Sequence, residues 1–349
     1  MELNLTVKSK TNIWVETLTN NDYKEIFSDS SVLVIDENLF EIINSKISLS
    51  AYEVIRVQWS ESQKSWDSIN GLLDQFVRLQ LKRTDTVIAI GGGLISDVVG
   101  FAASIYMRGI KWQVVSTTLL SQADACLGGK VGINGFNIKN IFGALHQPEK
   151  IYCDIGLLKY LSTRDYKNGL SEVCKYALAY KEDFYYWLLE HSTSIVDREE
   201  KILMTMVNRC LRYKADIVHQ DVEDINGIRA ILNFGHTFAH AIESTSSHAI
   251  MHGEAVAMGM KLAGKLSVDM GLLSDNDYER ILQLLSIFGL NCQHPLVSME
   301  QLYSQMLKDK KNTGNGVKLL LLNSIGSTIV CNNVHFRDLE TLRMSYAKC

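Results

Sequence analysis

Thr86-Val-Ile-Ala-Ile90 runs straight into Gly91-Gly-Gly93, and a second apolar stretch begins at Asp97. A near-continuous apolar run of this length reads as a strand buried on both faces, as in a parallel sheet covered by helices. Parallel strands need crossover connections, so strand, glycine turn and helix in that order commit the chain to α/β architecture. The neighbouring segments agree. Ser31-Val-Leu-Val-Ile-Asp36 and Val54-Ile-Arg-Val57 predict short strands, and Trp112 to Thr118 predicts another that ends in hydroxyls. Trp66 to Leu81 predicts a helix carried by Ile69, Leu72, Leu73, Phe76 and Val77, with Gln80 breaking the stripe in its last turn. Asp97-Val-Val-Gly-Phe-Ala-Ala-Ser reads as a helix start with Asp97 in the first turn.

From about Leu157 the pattern changes to long amphipathic stretches: Tyr166 to Leu178, Asp183 to Glu190, Glu199 to His219, His236 to Ile242, Gly253 to Met270 and Asp277 to Phe288. A chain of 349 residues is long for one hydrophobic core. The expected division is a Rossmann-like α/β domain over residues 1–156 and an all-helical domain over 157–349. The only prolines are Pro148 and Pro295, so no linker is marked, and close packing of the two halves is expected.

Charged residues make up 21% of the chain and the net charge is −4, which argues against nucleic acid or an anionic membrane as a partner. No apolar run is long enough for a membrane span. The start, Met1-Glu-Leu-Asn-Leu-Thr6, lacks a basic region followed by an apolar core, so a cytoplasmic protein is expected. Seven scattered cysteines without a Cys-x-x-Cys pair fit reduced thiols, and Cys126 and Cys174 read as small apolar packing residues.

Chemistry concentrates in a few places. Gly91-Gly-Gly93 lets the backbone approach a pyrophosphate whose charge meets the following helix start, which favours a dinucleotide. The polar segment Thr117 to Lys130 reads as a loop that offers Asp124 and Lys130 to a ligand. Lys130 and Lys139 are each ordinary surface lysines by default; beside glycines, and with Asn140 next in sequence, they favour an anion. Asn233-Phe-Gly-His236-Thr-Phe-Ala-His240 is followed by His248 and by Met251-His252-Gly-Glu254, four of the nine histidines. Neutral imidazole is a ready ligand for zinc-like metals. His236 and His240 share a helix face, and His252 opens the next helix. Glu172 and Lys175 are three apart in an apolar helix, where a buried pair needs a functional reason. Glu172, His236 and His252 together make a two-histidine, one-carboxylate set, typical of a catalytic metal with an open position.

Gly91-Gly-Gly, Thr117-Thr-Leu-Leu, Gly128-Gly-Lys130, Lys139-Asn140, Glu172-Val-Cys-Lys175, Lys214-Ala, Arg229, Asn233-Phe-Gly-His236-Thr-Phe-Ala-His240 and His252-Gly-Glu resemble the 3-dehydroquinate synthase family of sugar-phosphate cyclases. The resemblance runs in order from about Asp36 to about Gly326. It implies a lyase that binds NAD and one divalent metal, zinc or cobalt, in a cleft between the domains of a homodimer. The implied reaction takes a phosphorylated sugar acid, 3-deoxy-D-arabino-heptulosonate 7-phosphate, to 3-dehydroquinate and phosphate. It proceeds by transient oxidation, phosphate elimination, reduction and aldol closure, on the shikimate route to chorismate and the aromatic amino acids. Residue by residue, the resemblance implies NAD contacts from Asp36, Asn38, Glu61, Lys64, Gly92, Gly93, Asp97, Thr117, Thr118 and Lys139, with Asp124 and Lys130 nearby. It implies metal ligation by Glu172, His236 and His252, and a carboxylate clamp of Lys214 and Arg229. Phosphate contacts would come from Lys130, Asn140, Asn233, His240 and Lys318. Asp124 and Lys175 would bond substrate hydroxyls, and Arg108 would reach a partner's site.

Two departures stand out. Ser96 replaces the glycine usual before Asp97, and the segment from Asp221 to Ile228 runs about one residue long. Cyclases making 2-deoxy-scyllo-inosose or valiolone-type products act on substrates without a carboxylate and have no use for Lys214 and Arg229. An amino-dehydroquinate synthase would keep both. The remaining rivals are an NAD- and metal-dependent polyol dehydrogenase, which would release NADH, and a non-catalytic sensor on the same scaffold.

Overall fold

The computed structural model describes residues 10–28, 30–136, 138–221, 227–246, 250–291, 298–308, 316–340 and 342. His248, Pro295 and most of the long segment after Asp221 lie outside them. The chain divides into two compact units, Met1–Tyr160 and Leu161–Cys349.

The first unit contains β1 (Asn12–Glu16), α1 (Asn20–Ile26), β2 (Ser31–Asp36), α2 (Phe40–Lys46), β3 (Glu53–Val57), α3 (Trp66–Arg78), β4 (Thr86–Gly91), α4 (Gly93–Ile105), β5 (Lys111–Ser116), β6 (Lys130–Gly135), β7 (Ile138–Leu145) and β8 (Lys150–Asp154). Six strands form a sheet in the order β1-β8-β5-β4-β2-β3, with every pairing parallel. The expected strands are present, and the central ones are buried throughout: Val87 to Ile90 and Leu33 to Ile35 are fully enclosed, while β3 at the sheet edge buries only Ile55 and Val57. Each such aliphatic side chain contributes about 1.5–3 kcal/mol by leaving water. After β2 the chain steps outward to β3 and then returns to the other side of β2 for β4. That reversal makes a crevice at the carboxyl ends of β2 and β4, the usual ligand position in open α/β sheets. Strands β6 and β7 form a separate antiparallel hairpin.

Three expectations for this unit change. Helix α3 ends at Arg78 because Gln80 takes a left-handed conformation with φ of 53°. Its buried face is Ile69, Leu72 and Phe76, whereas Val77 is 62% exposed at the edge of the stripe. Helix α4 begins at Gly93, so Asp97 sits in its second turn and not its first. Leu119 to Ala125, within the segment read as a loop, is helical and widens into a π-type turn over Ser121–Ala125. Gln122 fixes that turn by donating to the carbonyls of Ser116 at 2.8 Å and Asp154 at 2.9 Å.

The second unit holds α5 (Thr163–Ala179), α6 (Glu182–Glu190), α7 (Ser192–Val196), α8 (Glu200–Gln220), α9 (His236–Thr245), α10 (His252–Asp269), α11 (Asp275–Ile287) and α12 (Met299–Met306). It is helical as expected, with one addition: β9 (Val317–Ser324) and β10 (Ser327–Val334) pair antiparallel. Leu322 N donates to Ser267 Oγ of α10 at 3.0 Å, and Gly326 N donates to the Leu178 carbonyl of α5 at 2.7 Å. The hairpin is thereby tied to the two helices that matter most below. Among the described residues no helix is long and apolar enough to cross a membrane.

Candidate functional site

In the second unit, α10 packs on both α5 and α9 and brings three distant residues to one point. His236 Nε2 lies 3.5 Å and His252 Nε2 lies 3.3 Å from the same carboxylate oxygen, Oε1 of Glu172. One donor atom from each residue fits within 4.8 Å of the other two. The sequence explains the convergence. Gly235 takes φ of 77°, a left-handed position that turns the chain into α9 so that His236 is its first residue. Gly253 lets α10 press on α5, because a Cβ there would lie 2.5 Å from Ser171 Oγ and 2.7 Å from Asn168 Oδ1. Asn168 Oδ1 also accepts a hydrogen bond from Gly253 N. Arg164 on α5 adds a two-pronged ion pair to Glu254, at 2.7 and 2.8 Å.

Both imidazoles are oriented through their second nitrogen. His236 Nδ1 lies 3.2 Å from the Phe234 carbonyl and His252 Nδ1 lies 3.4 Å from Glu243 Oε1. This leaves each Nε2 for the cluster, the arrangement found where histidines hold metals. Burial alone would raise the Glu172 carboxyl, but Lys175, His236 and His252 around it hold it well below the usual carboxylate range. Burial pushes His236 down to about 3, so it stays neutral. For His252, hydrogen bonds with Glu172 and Glu243 outweigh burial and lift it to about 9. Lys175 pairs with Glu172, and both side chains are almost wholly enclosed, as the buried reading of that pair required. The donor set therefore fits a divalent ion: one carboxylate, two imidazoles and a balancing lysine in a confined space.

Other predicted residues gather nearby. Lys214 on α8 and Arg229 are buried at 7% and 3% exposure. Arg229 belongs to a short turn, Ile228–Asn233, that packs against α5, α8 and β9, the strand carrying Lys318. Asn233 Nδ2 lies 3.4 Å from the Arg229 carbonyl and 3.3 Å from the Ala230 carbonyl. His240 is exposed, its ring centre 5.7 Å from that of His236 and 6.5 Å from that of His252. Asp221 Oδ2 accepts from Ile228 N at 3.1 Å, bracing the two ends of the longer segment. Cys174 is fully buried beside the cluster, and burial pushes its thiol up, as fits an inert packing residue.

In the first unit, Lys64 is buried and its Nζ lies 2.6 Å from Asp97 and in hydrogen-bond contact with Asn140 Oδ1. Asn140 itself has φ of 49° and donates its N–H to Asn134 Oδ1 at 2.9 Å. Asn134 Nδ2 in turn reaches Glu61 Oε1 at 2.8 Å. Asp36 ends β2 and accepts from Asn38 N at 3.0 Å, while Gly91 ends the adjacent β4, so both flank the crevice described above. Gly92 caps α4 in extended conformation, and a Cβ on it would come within 3.0 Å of Thr118. Gly93 opens the helix, leaving backbone N–H groups of its first turn without helical partners. Thr117 N donates to the Gly91 carbonyl at 3.1 Å. A glycine turn, a helix start and hydroxyls at the switch point fit the pyrophosphate of a dinucleotide. Ser96 turns its hydroxyl back to the Gly93 carbonyl at 2.9 Å, within α4. Asp124 and Lys139 are half-buried and Lys130 is exposed at the start of β6. Arg108 is exposed on a left-handed corner with Met107 and Gly109.

Sequence reasoning missed Glu243, Asn168, Arg164 and Asn134. Glu243 had a signal, since it lies two helical turns after His236 on the same face. Asn134 had none.

Two family profiles match the chain: 3-dehydroquinate synthase N-terminal over residues 54–168 and 3-dehydroquinate synthase C-terminal over residues 169–312. A 3-dehydroquinate synthase of Campylobacter concisus is 39% identical over 292 residues, 83% of each chain. Among solved structures, 2-epi-5-epi-valiolone synthase from Streptomyces hygroscopicus subsp. jinggangensis, with NAD+ and Zn2+ bound, aligns with a TM-score of 0.91 at 24% identity, covering 100% of this chain and 99% of the other. A 2-deoxy-scyllo-inosose synthase complexed with carbaglucose-6-phosphate, NAD+ and Co2+ aligns with a TM-score of 0.84 at 24% identity, covering 96% of each. At that identity the structural likeness establishes the fold.

Proposed function

The chain belongs to the 3-dehydroquinate synthase family, and on that premise we propose that it converts 3-deoxy-D-arabino-heptulosonate 7-phosphate to 3-dehydroquinate and phosphate. The observation that carries the reading is the meeting of Glu172, His236 and His252 within 4.8 Å. When bound there, a divalent ion supplies Lewis-acid polarisation of substrate hydroxyls, and NAD+ supplies a transient hydride acceptor. Zinc and cobalt both suit two imidazoles and a carboxylate.

The chain's own residues do the rest. Glu172, His236 and His252 hold the ion, and Lys175 balances the charge of Glu172. Lys175 and Asp124 bond substrate hydroxyls. Lys214 and Arg229 clamp the carboxylate; a guanidinium fork and an ammonium buried to this depth suit an anionic ligand. Lys130, Asn140, Asn233, His240 and Lys318 receive the phosphate, whose departure as an anion is eased by cations already in place. The substrate's own phosphate accepts the proton lost during elimination. NAD is held by Asp36, Asn38, Glu61, Lys64, Gly92, Gly93, Asp97, Thr117, Thr118 and Lys139. A homodimer, with Arg108 reaching the partner's site, belongs to the same reading and rests on the exposure of Arg108.

Lys214 and Arg229 favour this substrate over the carboxylate-free substrates of other cyclases. The experiment is phosphate release from the heptulosonate phosphate with substoichiometric NAD+ and a divalent metal. Many turnovers per NAD+ are expected, without NADH accumulation. Stoichiometric NADH would mark a dehydrogenase, and no release would point to another cyclase or a sensor.

A further inference from the structure

His252 stands out among the cluster residues because its ring is held on both sides by carboxylates. Nε2 faces Glu172 at 3.3 Å and Nδ1 faces Glu243 Oε1 at 3.4 Å. Glu243 is 2% exposed on α9, seven residues after His236, so α9 presents a histidine and a carboxylate to α10 from one face. A carboxylate at this depth is costly to desolvate, and nothing in helix packing alone calls for one. His236 lacks such a partner: its Nδ1 is set by the Phe234 carbonyl instead. The rest of the scaffold fixes where the α10 backbone begins, through Asn168 to Gly253 and Arg164 to Glu254. It does not fix how the His252 ring turns.

We infer that Glu243 is a positioning residue: it accepts the Nδ1 proton of His252 and so dedicates Nε2 to the divalent ion. The inference rests on the metal reading of Glu172, His236 and His252 proposed above. Outer partners of this kind are worth about 10–100-fold in metal affinity.

The test uses full-length protein stripped of metal and titrated with cobalt(II) alone, read by its visible absorption and by competition with a chelator. Glu243→Ala is expected to weaken cobalt binding about 10–100-fold while far-UV circular dichroism of the metal-free protein stays near that of the unsubstituted protein. Glu243→Gln keeps an acceptor and should stay within a few fold of the parent. In a His252→Ala background, Glu243→Ala should weaken binding no further, since the route through His252 has gone. Unchanged affinity in Glu243→Ala, or an equal loss in the His252→Ala background, overturns the inference while leaving the metal site intact. Failure of the unsubstituted protein to take up one cobalt, with His236→Ala as control, overturns the metal reading and this inference together. Should Glu243→Ala not fold, nitrogen NMR of the zinc-loaded parent decides. His252 protonated at Nδ1 supports the assignment, and His252 protonated at Nε2 overturns it.

Discussion

Gly253→Ala adds one methyl group next to His252 and changes no group that would touch a ligand. Its Cβ would sit 2.5 Å from Ser171 Oγ and 2.7 Å from Asn168 Oδ1, where ordinary contact begins near 3.4 Å. The Asn168 carbonyl oxygen would be nearer still, so helices α5 and α10 must part by roughly 1 Å or more, or the start of α10 must tilt, because the neighbours are short side chains and backbone that cannot swing aside. Overpacking of this kind costs about 1–3 kcal/mol, which lowers the melting temperature by about 2–4 °C per kcal/mol in a unit of this size. Glu172 rides on α5 and His252 on α10, so the separation falls on the distance between two proposed metal ligands. Bonds to zinc-like ions tolerate about 0.2 Å of error. The loss of cobalt affinity should thus exceed tenfold and be out of proportion to the loss of stability. The assay is cobalt titration with urea unfolding of the same metal-free sample. Loss of stability with unchanged cobalt affinity would refute the claim that this helix contact sets the metal geometry.

Lys175→Met leaves the enclosed Glu172 carboxylate without its lysine and should cost about 3–5 kcal/mol by chemical denaturation. Adding Glu172→Gln should restore most of that stability while metal binding stays lost, and failure of the second change to rescue would contradict a charge-pair origin. Because His252 is lifted to about 9 and His236 lowered to about 3 in the metal-free protein, cobalt must displace a proton from His252 at any pH below 9. Apparent affinity should then rise about tenfold per pH unit from 6 to 8 and level off near 9; calorimetry in buffers of different ionisation enthalpy should count about one proton released, and a flat pH profile would be inconsistent. Arg229→Ala should raise KM for the heptulosonate phosphate about 10–100-fold, the worth of a charge-assisted contact, with NAD+ binding unchanged. Equal losses for substrate and NAD+ would indicate a general structural role.

The sheet and the cluster of Glu172, His236 and His252 were legible for different reasons. Strands β2 and β4 announce themselves because burial on both faces demands near-continuous apolar runs, and Gly91 to Gly93 punctuates the strand-to-helix turn. The cluster was visible through residue type, since Glu172, His236 and His252 are costly or scarce at such positions. Hairpin β6–β7 was hidden because Gly132, Gly135 and Gly143 replace the side chains that would have shown alternation; at Gly132 and Gly143 the two backbones approach too closely for a Cβ, and at Gly135 the Phe142 ring takes its place. Leu319 to Leu322 is a plain apolar run that fits a buried helix as well as a strand, and only pairing with β10 decides it. Strand β1 pairs with β8 from the opposite end of the unit, which no local pattern encodes. Asn134 escaped because an asparagine acquires its role from what faces it in space, whereas Glu243 was marked only by its seven-residue spacing from His236.

Anomalous diffraction from cobalt-loaded crystals tests the account most directly. The expected map has one strong peak about 2.0–2.2 Å from His236 Nε2, His252 Nε2 and a carboxylate oxygen of Glu172. A peak held by other residues, or no peak with these three side chains turned apart, would contradict it.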